Sequence, residues 1–166
     1  MPVTLEQLLQ SRDNRAKHQK DLLENSPGRS LLCLTVQLPG AEKRNATSLV
    51  IARAGVEAIR EAFHPEFEEI RDLETGYEAY FLVPLSGQEA KRMACQIEDT
   101  HPLGRLMDID VLIADSLCVS RTDIGLQPRK CLLCGNEVRY CMRAKTHTTA
   151  ELLDKIEEMV KVCCAF

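Results

Sequence analysis

The sequence lacks any apolar run long enough to cross a membrane. Its longest such runs, near residues 31–36 and 80–85, are far shorter than the roughly 20 residues that a transmembrane helix needs. The first residues also lack a basic stretch followed by an apolar segment, which is the pattern of a secretory signal. We therefore expect a cytoplasmic protein that has no membrane partner.

An excess of positive charge is missing as well. The chain carries 21 Lys and Arg against 25 Asp and Glu, which gives a formal net charge of −4 at pH 7. Proteins that are drawn to nucleic acid by their overall field carry the opposite sign. Nucleic acid is therefore not an expected partner.

The sequence contains no internal repeat and no low-complexity tract. Its 166 residues, 45% of them hydrophobic, suit one domain spanning residues 1–166 with a sizeable core. Such a chain does not need the disulfides that staple small secreted domains. Its eight cysteines are therefore expected to be reduced thiols or metal ligands. Cys33, Cys95 and Cys118 fall in predicted regular elements, and we expect them in the core.

A second group of cysteines lies close together in the last third of the chain. Cys131 and Cys134 form a CxxC pair that is followed by Cys141 and His147. Three thiols and an imidazole at this spacing could hold a structural Zn²⁺, although a second CxxC pair, which would make the pattern specific, is missing from the sequence. Two alternatives stay open. The thiols could be small buried hydrophobic groups, with His147 as a helix cap or substrate residue, or the CxxC pair could be a redox pair.

Two acidic residues interrupt an otherwise apolar stretch at 106–113. The preceding His-Pro-Leu-Gly at 101–104 predicts a loop, and the alternation that follows predicts a strand. Because side chains i and i+2 share a face of a strand, Asp108 and Asp110 should lie side by side. Two close carboxylates repel each other, and a divalent cation such as Mg²⁺ relieves that repulsion. A solvated strand face that happens to carry two acids is the simpler alternative.

Basic residues around this strand favour a ligand rich in phosphate. Arg105 can fork onto a phosphate, and Gly104 lets the backbone approach a ligand closely. Arg12 falls on the apolar stripe of the first predicted helix, where an arginine side chain either extends outward to water or binds an anion. The nearby Arg15 keeps anion binding open as an alternative. Residues 121–147 carry six Lys or Arg against two acids. That run is either a solvated surface or the border of a polyphosphate site.

Hydrophobic periodicity predicts an α+β fold. From residue 31 the order is strand, helix, strand, strand, helix, strand, which is the split βαβ or ferredoxin-like arrangement. An added N-terminal helix precedes this core, and a C-terminal cysteine-containing segment and a last helix follow it. The predicted elements are helices at 4–24, at 45–63, from 86 and from 148, and strands at 31–37, 67–73, 77–83, 106–113 and 117–119.

Apolar stripes predict which faces of these elements pack inward. On the acidic strand, Met107, Ile109 and Val111 should meet two helices, which leaves Asp108 and Asp110 on the opposite face. The stripes of the first and last helices are Leu5, Leu8, Leu9, Ala16 and Leu23, and Leu152, Leu153, Ile156, Met159, Val160 and Cys163.

Three blocks of the sequence resemble one family. His101-Pro102-Leu103-Gly104-Arg105-Leu106-x-Asp108-Ile109-Asp110-Val111 resembles the signature of the apo-citrate lyase phosphoribosyl-dephospho-CoA transferases, the holo-citrate lyase acyl carrier protein synthases. Ser11-Arg12-Asp13-x-Arg15 resembles the N-terminal block of that family. A third set of residues resembles the downstream block of the family: Ser120-Arg121, Pro128 to Cys134, Cys141 and Lys145-Thr146-His147. The likeness runs in order through nearly the whole chain.

The resemblance implies a nucleotidyltransferase-type reaction that attaches a prosthetic group. The family moves 5''-phosphoribosyl-3'-dephospho-CoA from its triphosphate precursor to a serine of the citrate lyase acyl carrier (gamma) subunit, and pyrophosphate leaves. The expected partners are therefore triphosphoribosyl-dephospho-CoA and that carrier subunit. Two alternatives stay open: the same chemistry on the malonate decarboxylase carrier subunit, and a non-catalytic, zinc-stapled module that binds a carrier protein.

The resemblance also implies roles for individual residues. Asp108 and Asp110 are expected to hold Mg²⁺ and to form the catalytic centre together with Arg105. The expected substrate-binding residues are Gly104, Arg12, Arg15, Arg121, Lys145 and His147. Zinc, if it binds, is expected at Cys131, Cys134, Cys141 and His147. A general base does not emerge from the sequence, although Glu78 and Asp123 are candidates.

Overall fold

The computed structural model describes residues 1–165, which form an α+β fold as predicted. The elements are α1 (Leu5–Glu24), β1 (Ser30–Val36), α2 (Ala46–Phe63), β2 (Phe67–Leu73), β3 (Gly76–Val83), α3 (Gly87–Thr100), β4 (Met107–Ile113), β5 (Leu117–Cys118), α4 (Val138–Ala144) and α5 (Thr149–Cys164). Short 3₁₀ turns occupy Gly104–Leu106, Ala114–Ser116 and Thr122–Ile124. None of the helices in the described part of the chain is long and apolar enough to span a membrane.

The strands of residues 1–165 form one antiparallel five-stranded sheet in the order β2-β3-β1-β4-β5. Strand β4, which carries the acidic pair, is bonded to β1 over residues 107–112 and to β5 at residues 112–113. In the β1–β4 register, Asp108 lies opposite Thr35 and Asp110 lies opposite Cys33. Pairing with β1 therefore positions the two acidic side chains.

The main core lies between one face of this sheet and helices α2 and α3. Met107, Ile109 and Val111 are fully buried there, which confirms the predicted inward face of β4. Helix α5 adds Ile156 to the same core and packs against α2. The other members of the predicted α5 stripe are only partly buried.

The opposite face of the sheet carries a smaller apolar cluster, to which α1 contributes Leu23. The prediction of a buried stripe along all of α1 is wrong, because Leu5 and Leu9 are 73% and 51% exposed. The reason is that the first half of α1 lies beside a polar region of β2 and β3. That region includes Arg71 and Glu78 and offers the leucines few apolar partners.

Capping explains where most of the helices begin. Thr4, Ser86 and Thr148 each form a complete capping box at the start of α1, α3 and α5. In a capping box, the side chain of the cap residue accepts a hydrogen bond from the backbone N–H of the third helical residue, whose side chain accepts one from the backbone N–H of the cap residue. Helix α4 has no such side-chain cap within the described chain. Helix α4 has seven residues, and the sequence showed no apolar periodicity there from which the helix could be predicted.

Candidate active site

The acidic pair lies on the face of β4 that points away from the main core, as predicted. Asp108 accepts a hydrogen bond from Gln37 Nε2 to its Oδ2 at 2.9 Å, and the Arg129 guanidinium lies 3.9 Å from its Oδ1. Asp110 is half-buried. Burial first, and then the neighbouring Asp108 charge, raise the pKa of Asp110 to about 6. The pair therefore carries an unfavourable concentration of negative charge.

Glu78 places a third carboxylate on the same sheet face. Thr35 lies opposite Asp108 on one side and opposite Glu78 on the other, so the two acids share a row across three strands. Glu78 is buried; it accepts from Tyr80 Oη at 2.5 Å and from Arg15 Nη1 at 3.4 Å. Arg15 of α1 is thus paired with Glu78 of β3.

A cleft of about 860 Å³ lies near Asp108, although neither Asp108 nor Asp110 is one of its lining residues. Gln37, the partner of Asp108, is one of its lining residues, so the cleft and the acids are connected through one side chain. Its cationic lining consists of Arg12, Lys43, Arg105 and Lys145. His147 lines the cleft as well. The structure thereby brings together three of the six predicted substrate-binding residues, Arg12, Lys145 and His147, with the predicted catalytic Arg105.

Lys43 is a lining residue that the sequence did not indicate. It lies in the loop before α2, where its Nζ donates to the carbonyl of Leu38 at 2.7 Å. Burial, followed by the charge of Arg12, lowers its pKa. No periodic pattern marks a lysine in such a loop, so its place could not be found from the sequence.

Arg105 connects the turn before β4 to the cysteine segment. Its Nε and Nη2 both donate to the carbonyl of Lys130, at 3.0 Å and 2.5 Å. Burial, and then the nearby Arg129 charge, lower its pKa. The guanidinium lines the cleft while this fork fixes its orientation.

Gly104 has a packing explanation. A Cβ at this position would lie 2.4 Å from the carbonyl oxygen of Ile97 and 2.5 Å from that of Glu98. The close approach of two backbone segments therefore requires glycine here, whether or not a ligand binds nearby.

Arg121 lies in a network of charges around the buried Glu98 that the sequence did not indicate. It donates to Glu98 Oε1 at 2.9 Å and pairs with Asp99 at 3.0 Å. Glu98, which is buried, also accepts from the backbone N–H of Ile109 at 3.0 Å. A signal was present, because Glu98 lies four residues after inward-facing Ala94 and so falls on the apolar stripe of α3. The structure gives Arg121 these partners rather than a place on the cleft.

Arg129 extends that network to the turn before β4. It donates to the carbonyls of Met107 at 2.9 Å and Arg105 at 2.8 Å, and it lies near Asp108 as described above. Asp123, a candidate base, instead accepts from the backbone N–H of Ser120 at 2.8 Å. That turn bond lowers the pKa of Asp123.

Four residues of the cysteine segment could hold a metal ion. One ligand atom from each of Cys131, Cys134, Cys141 and His147 lies within 4.8 Å of all the others. The sulfurs of Cys134 and Cys141 are 3.4 Å apart. Cys131, Cys141 and His147 also line the cleft, so this group and the cationic wall adjoin.

The remaining cysteines divide by burial. Cys33 and Cys95 are buried, as predicted, and burial raises the pKa of Cys33 to about 12. The prediction for Cys118 is wrong, because it is exposed. It lies on β5, a two-residue strand at the edge of the sheet, where little chain covers it.

Comparison with known proteins gives a consistent result along the chain. Residues 3–162 match the family model described as apo-citrate lyase phosphoribosyl-dephospho-CoA transferase. The chain is 36% identical over 173 residues to a "Probable apo-citrate lyase phosphoribosyl-dephospho-CoA transferase" of Vibrio cholerae, covering 99% of this chain and 97% of the relative. A transferase of that name from Escherichia coli O1:K1 is 34% identical, over 95% of this chain and 88% of its own length.

A longer relative is also similar. "Protein CitXG" of Haemophilus influenzae is 37% identical over 164 residues, which cover 96% of this chain but 35% of that protein. The chain therefore corresponds to about a third of this relative.

Proposed function

The chain belongs to the apo-citrate lyase phosphoribosyl-dephospho-CoA transferase family, and on that premise we propose that it is a nucleotidyltransferase that loads citrate lyase. It transfers 5''-phosphoribosyl-3'-dephospho-CoA from the triphosphate precursor to a serine of the acyl carrier (gamma) subunit and releases pyrophosphate. The observation that carries this proposal is the acidic pair on β4, whose Asp108 is joined through Gln37 to a cleft lined by four cationic side chains.

Asp108 and Asp110 are the proposed ligands of Mg²⁺. They fit this ion because they share one face of β4. Burial first, and then the charge of Asp108, raise the pKa of Asp110, and a divalent cation relieves the repulsion between the two carboxylates. When bound, Mg²⁺ supplies electrostatic stabilisation of the phosphate charge. Gln37, which donates to Asp108, holds that carboxylate in a fixed orientation.

The cations of the cleft wall are proposed to bind the triphosphate. Arg12, Lys43, Arg105 and Lys145 line the cleft, where they attract the substrate and stabilise the charge that builds on the departing pyrophosphate. Arg105 is the proposed catalytic member, since its orientation is fixed by Lys130. Substrate roles for Gly104, Arg15 and Arg121 stay predictions, and in the structure Arg15 and Arg121 pair with acids.

The split βαβ arrangement is proposed for residues 30–113. The strand order β2-β3-β1-β4 and the two helices α2 and α3 against one face support it. In that arrangement the second face of the sheet is left for α1 and for the acidic site.

A mass-spectrometric transfer assay tests the proposed function. The protein is mixed with triphosphoribosyl-dephospho-CoA, Mg²⁺ and apo acyl carrier subunit, with and without EDTA. We expect the citrate lyase carrier to gain the mass of one phosphoribosyl-dephospho-CoA group, and EDTA to abolish the gain. A gain confined to the malonate decarboxylase carrier moves the assignment to that reaction. Absence of any gain on either carrier overturns the proposal and favours a carrier-binding module.

The acidic pair is tested separately by substitution. Asp108→Asn should lower the transfer rate by about 10²–10³-fold, the equivalent of several kcal/mol of charge stabilisation. Asp154→Asn, at an exposed position on α5, is the matched control and should transfer normally. An Asp108→Asn protein with full activity would remove the metal-binding role of this pair.

A further inference from the structure

We propose that Cys131, Cys134, Cys141 and His147 bind one structural zinc ion, and that this ion holds the cysteine-rich wall of the cleft in place. The zinc site itself does not depend on the proposed function. The expected effect of the ion on phosphate binding does rest on it.

The geometry of the four residues suits tetrahedral zinc. With Zn–S bonds of about 2.3 Å and a Zn–N bond of about 2.0 Å, the ligand atoms of a Cys₃His site lie roughly 3.5–3.8 Å apart. All four ligand atoms here lie within 4.8 Å of one another, and two of the sulfurs are 3.4 Å apart. Changes of up to about 1 Å in these separations would therefore complete the site.

An unpartnered imidazole nitrogen points to a ligand independently of this clustering. His147 Nε2 is buried and has no hydrogen-bond partner among residues 1–165. Buried polar atoms almost always have a partner, because leaving one unsatisfied costs free energy. Coordination of zinc by Nε2 satisfies this atom, since neutral imidazole binds the metal through its lone pair.

Polar contacts of Arg121, Arg129 and Lys130, rather than apolar burial, hold the segment around the cluster. Across residues 120–148 of the described chain, Cys141 is the one residue classed as buried. Tyr140 and Met142, on either side of it, are 61% and 70% exposed. A segment that buries so little apolar surface cannot be ordered by a core of its own. Structural zinc supplies the missing folding energy in such cases.

The two alternatives explain the arrangement less well. Core thiols are expected to be fully buried, whereas Cys131 and Cys134 are only half-buried. A disulfide between Cys134 and Cys141 would leave the Cys131 thiol and the His147 nitrogen unsatisfied. Zinc instead uses all four groups. Its binding releases the three thiol protons, keeps the imidazole neutral and leaves a site with one net negative charge.

The position of the cluster connects it to the cationic wall. Cys131 directly follows Lys130, whose carbonyl fixes Arg105 through two hydrogen bonds. Lys145, which lines the cleft, lies two residues before His147. Zinc therefore fixes the backbone on both sides of the wall, and its removal should release two cations from their positions.

Metal analysis of the wild-type protein is the first test. Elemental analysis of the reduced protein, before and after dialysis against a zinc buffer, should give about one zinc per chain, and X-ray absorption should give three sulfur ligands and one nitrogen ligand. Cobalt substitution should produce thiolate-to-metal charge-transfer absorption. Less than about a tenth of an equivalent of zinc after dialysis, or a Cys134–Cys141 disulfide in protein purified without oxidants, overturns the proposal.

Variants then separate zinc binding from a general loss of folding. Cys134→Ser should lose zinc, while the matched control Cys164→Ser, at an exposed position on α5, should retain it. By hydrogen exchange, zinc loss should expose amides in residues 120–148 and leave β1, β3 and β4 protected. Equal protection of residues 120–148 with and without zinc contradicts the structural role.

Phosphate binding tests the connection to the cleft. Inorganic tripolyphosphate should bind at least about tenfold more weakly to the zinc-free wild-type protein than to the zinc-loaded protein, since the positions of Arg105 and Lys145 are lost. Unchanged binding would overturn the role of zinc at the cleft wall. Zinc-loaded protein that fails to transfer overturns the proposed function but not the zinc site. Full transfer by the zinc-free protein supports the proposed function and overturns the role of zinc at the cleft wall.

Discussion

The sheet with its helices and the cysteine segment at 120–148 are stabilised in different ways. In the first region, Leu32, Ile51 and Ile109 are completely buried in a continuous apolar core. In the second, the carbonyl of Lys130 is held by Arg105, and Cys141 is the one residue of this described segment classed as buried. Apolar burial therefore explains the first region, whereas a small number of specific polar contacts must explain the second.

The same contrast divides the candidate active site. Asp108 and Asp110 lie on a strand that is paired with β1 along its length and that buries Ile109, the residue between them, so the core fixes their positions. Lys145 and His147, on the other wall of the cleft, belong to the segment with little core. The rigid region thus supplies the acids, and the position of the second wall depends on local cross-links.

The largest expected difference between the two regions concerns stability. Ile109→Ala removes a fully buried side chain and should lower the free energy of unfolding by about 2–5 kcal/mol. Met142→Ala, at a position 70% exposed, should change it by less than about 0.5 kcal/mol. Urea unfolding monitored by circular dichroism measures both. Similar losses for the two variants would show that residues 120–148 share the core's cooperativity.

This contrast also explains how much the sequence could predict. The period-two pattern of β4 correctly placed Met107 in the core and Asp108 on the opposite face, because burial on one face imposes that alternation. The capping boxes at Ser86 and Thr148 likewise depend on local contacts. These features could be predicted because the interactions that cause them lie close together in the sequence or repeat along it.

Features that depend on distant contacts could not be predicted in this way. The leucines of α1 form a good stripe, yet Leu5 and Leu9 are exposed, since their burial depends on what the neighbouring strands present. Lys43 lines the cleft through the path of a loop that has no period. The pairing of Arg121 with Glu98 was not indicated by the sequence, and the substrate role of Arg121 stays a prediction. Pairings of this kind are set by tertiary packing.

The second prediction concerns the close backbone contact that joins α3 to β4. Gly104→Ala should lower the free energy of unfolding by about 1–3 kcal/mol, the usual cost of overpacking, because the new methyl group meets the carbonyls of Ile97 and Glu98. Gly135→Ala, in the cysteine segment, is the control; in the described structure its Cβ would meet nothing within 4 Å. Thermal unfolding measures both. A stable Gly104→Ala protein would contradict the packing explanation.

The third prediction concerns pH and the acidic pair. Because burial raises the pKa of Asp110 in the folded state to about 6, above the unfolded value of about 3.9, the folded state holds this proton more tightly. Without Mg²⁺, stability should therefore fall as the pH rises from about 4 to about 6. In the Asp110→Asn protein, the free energy of unfolding should fall by about 1–2 kcal/mol less over this pH range than in the wild type. In the Asp154→Asn protein, it should fall as in the wild type. Identical pH profiles for the Asp110→Asn and wild-type proteins would contradict the raised pKa.

The smallest effect is expected where the two regions meet, at Arg105. Arg105→Lys keeps the charge but replaces a two-pronged contact with the Lys130 carbonyl by a single flexible donor. We expect inorganic tripolyphosphate to bind roughly tenfold more weakly, about 1.4 kcal/mol, with little change in stability. Arg143→Lys, at an exposed position on α4, is the matched control for calorimetric titration. If both variants bind as the wild type does, the orientation of Arg105 is unimportant and its charge alone attracts phosphate to the cleft.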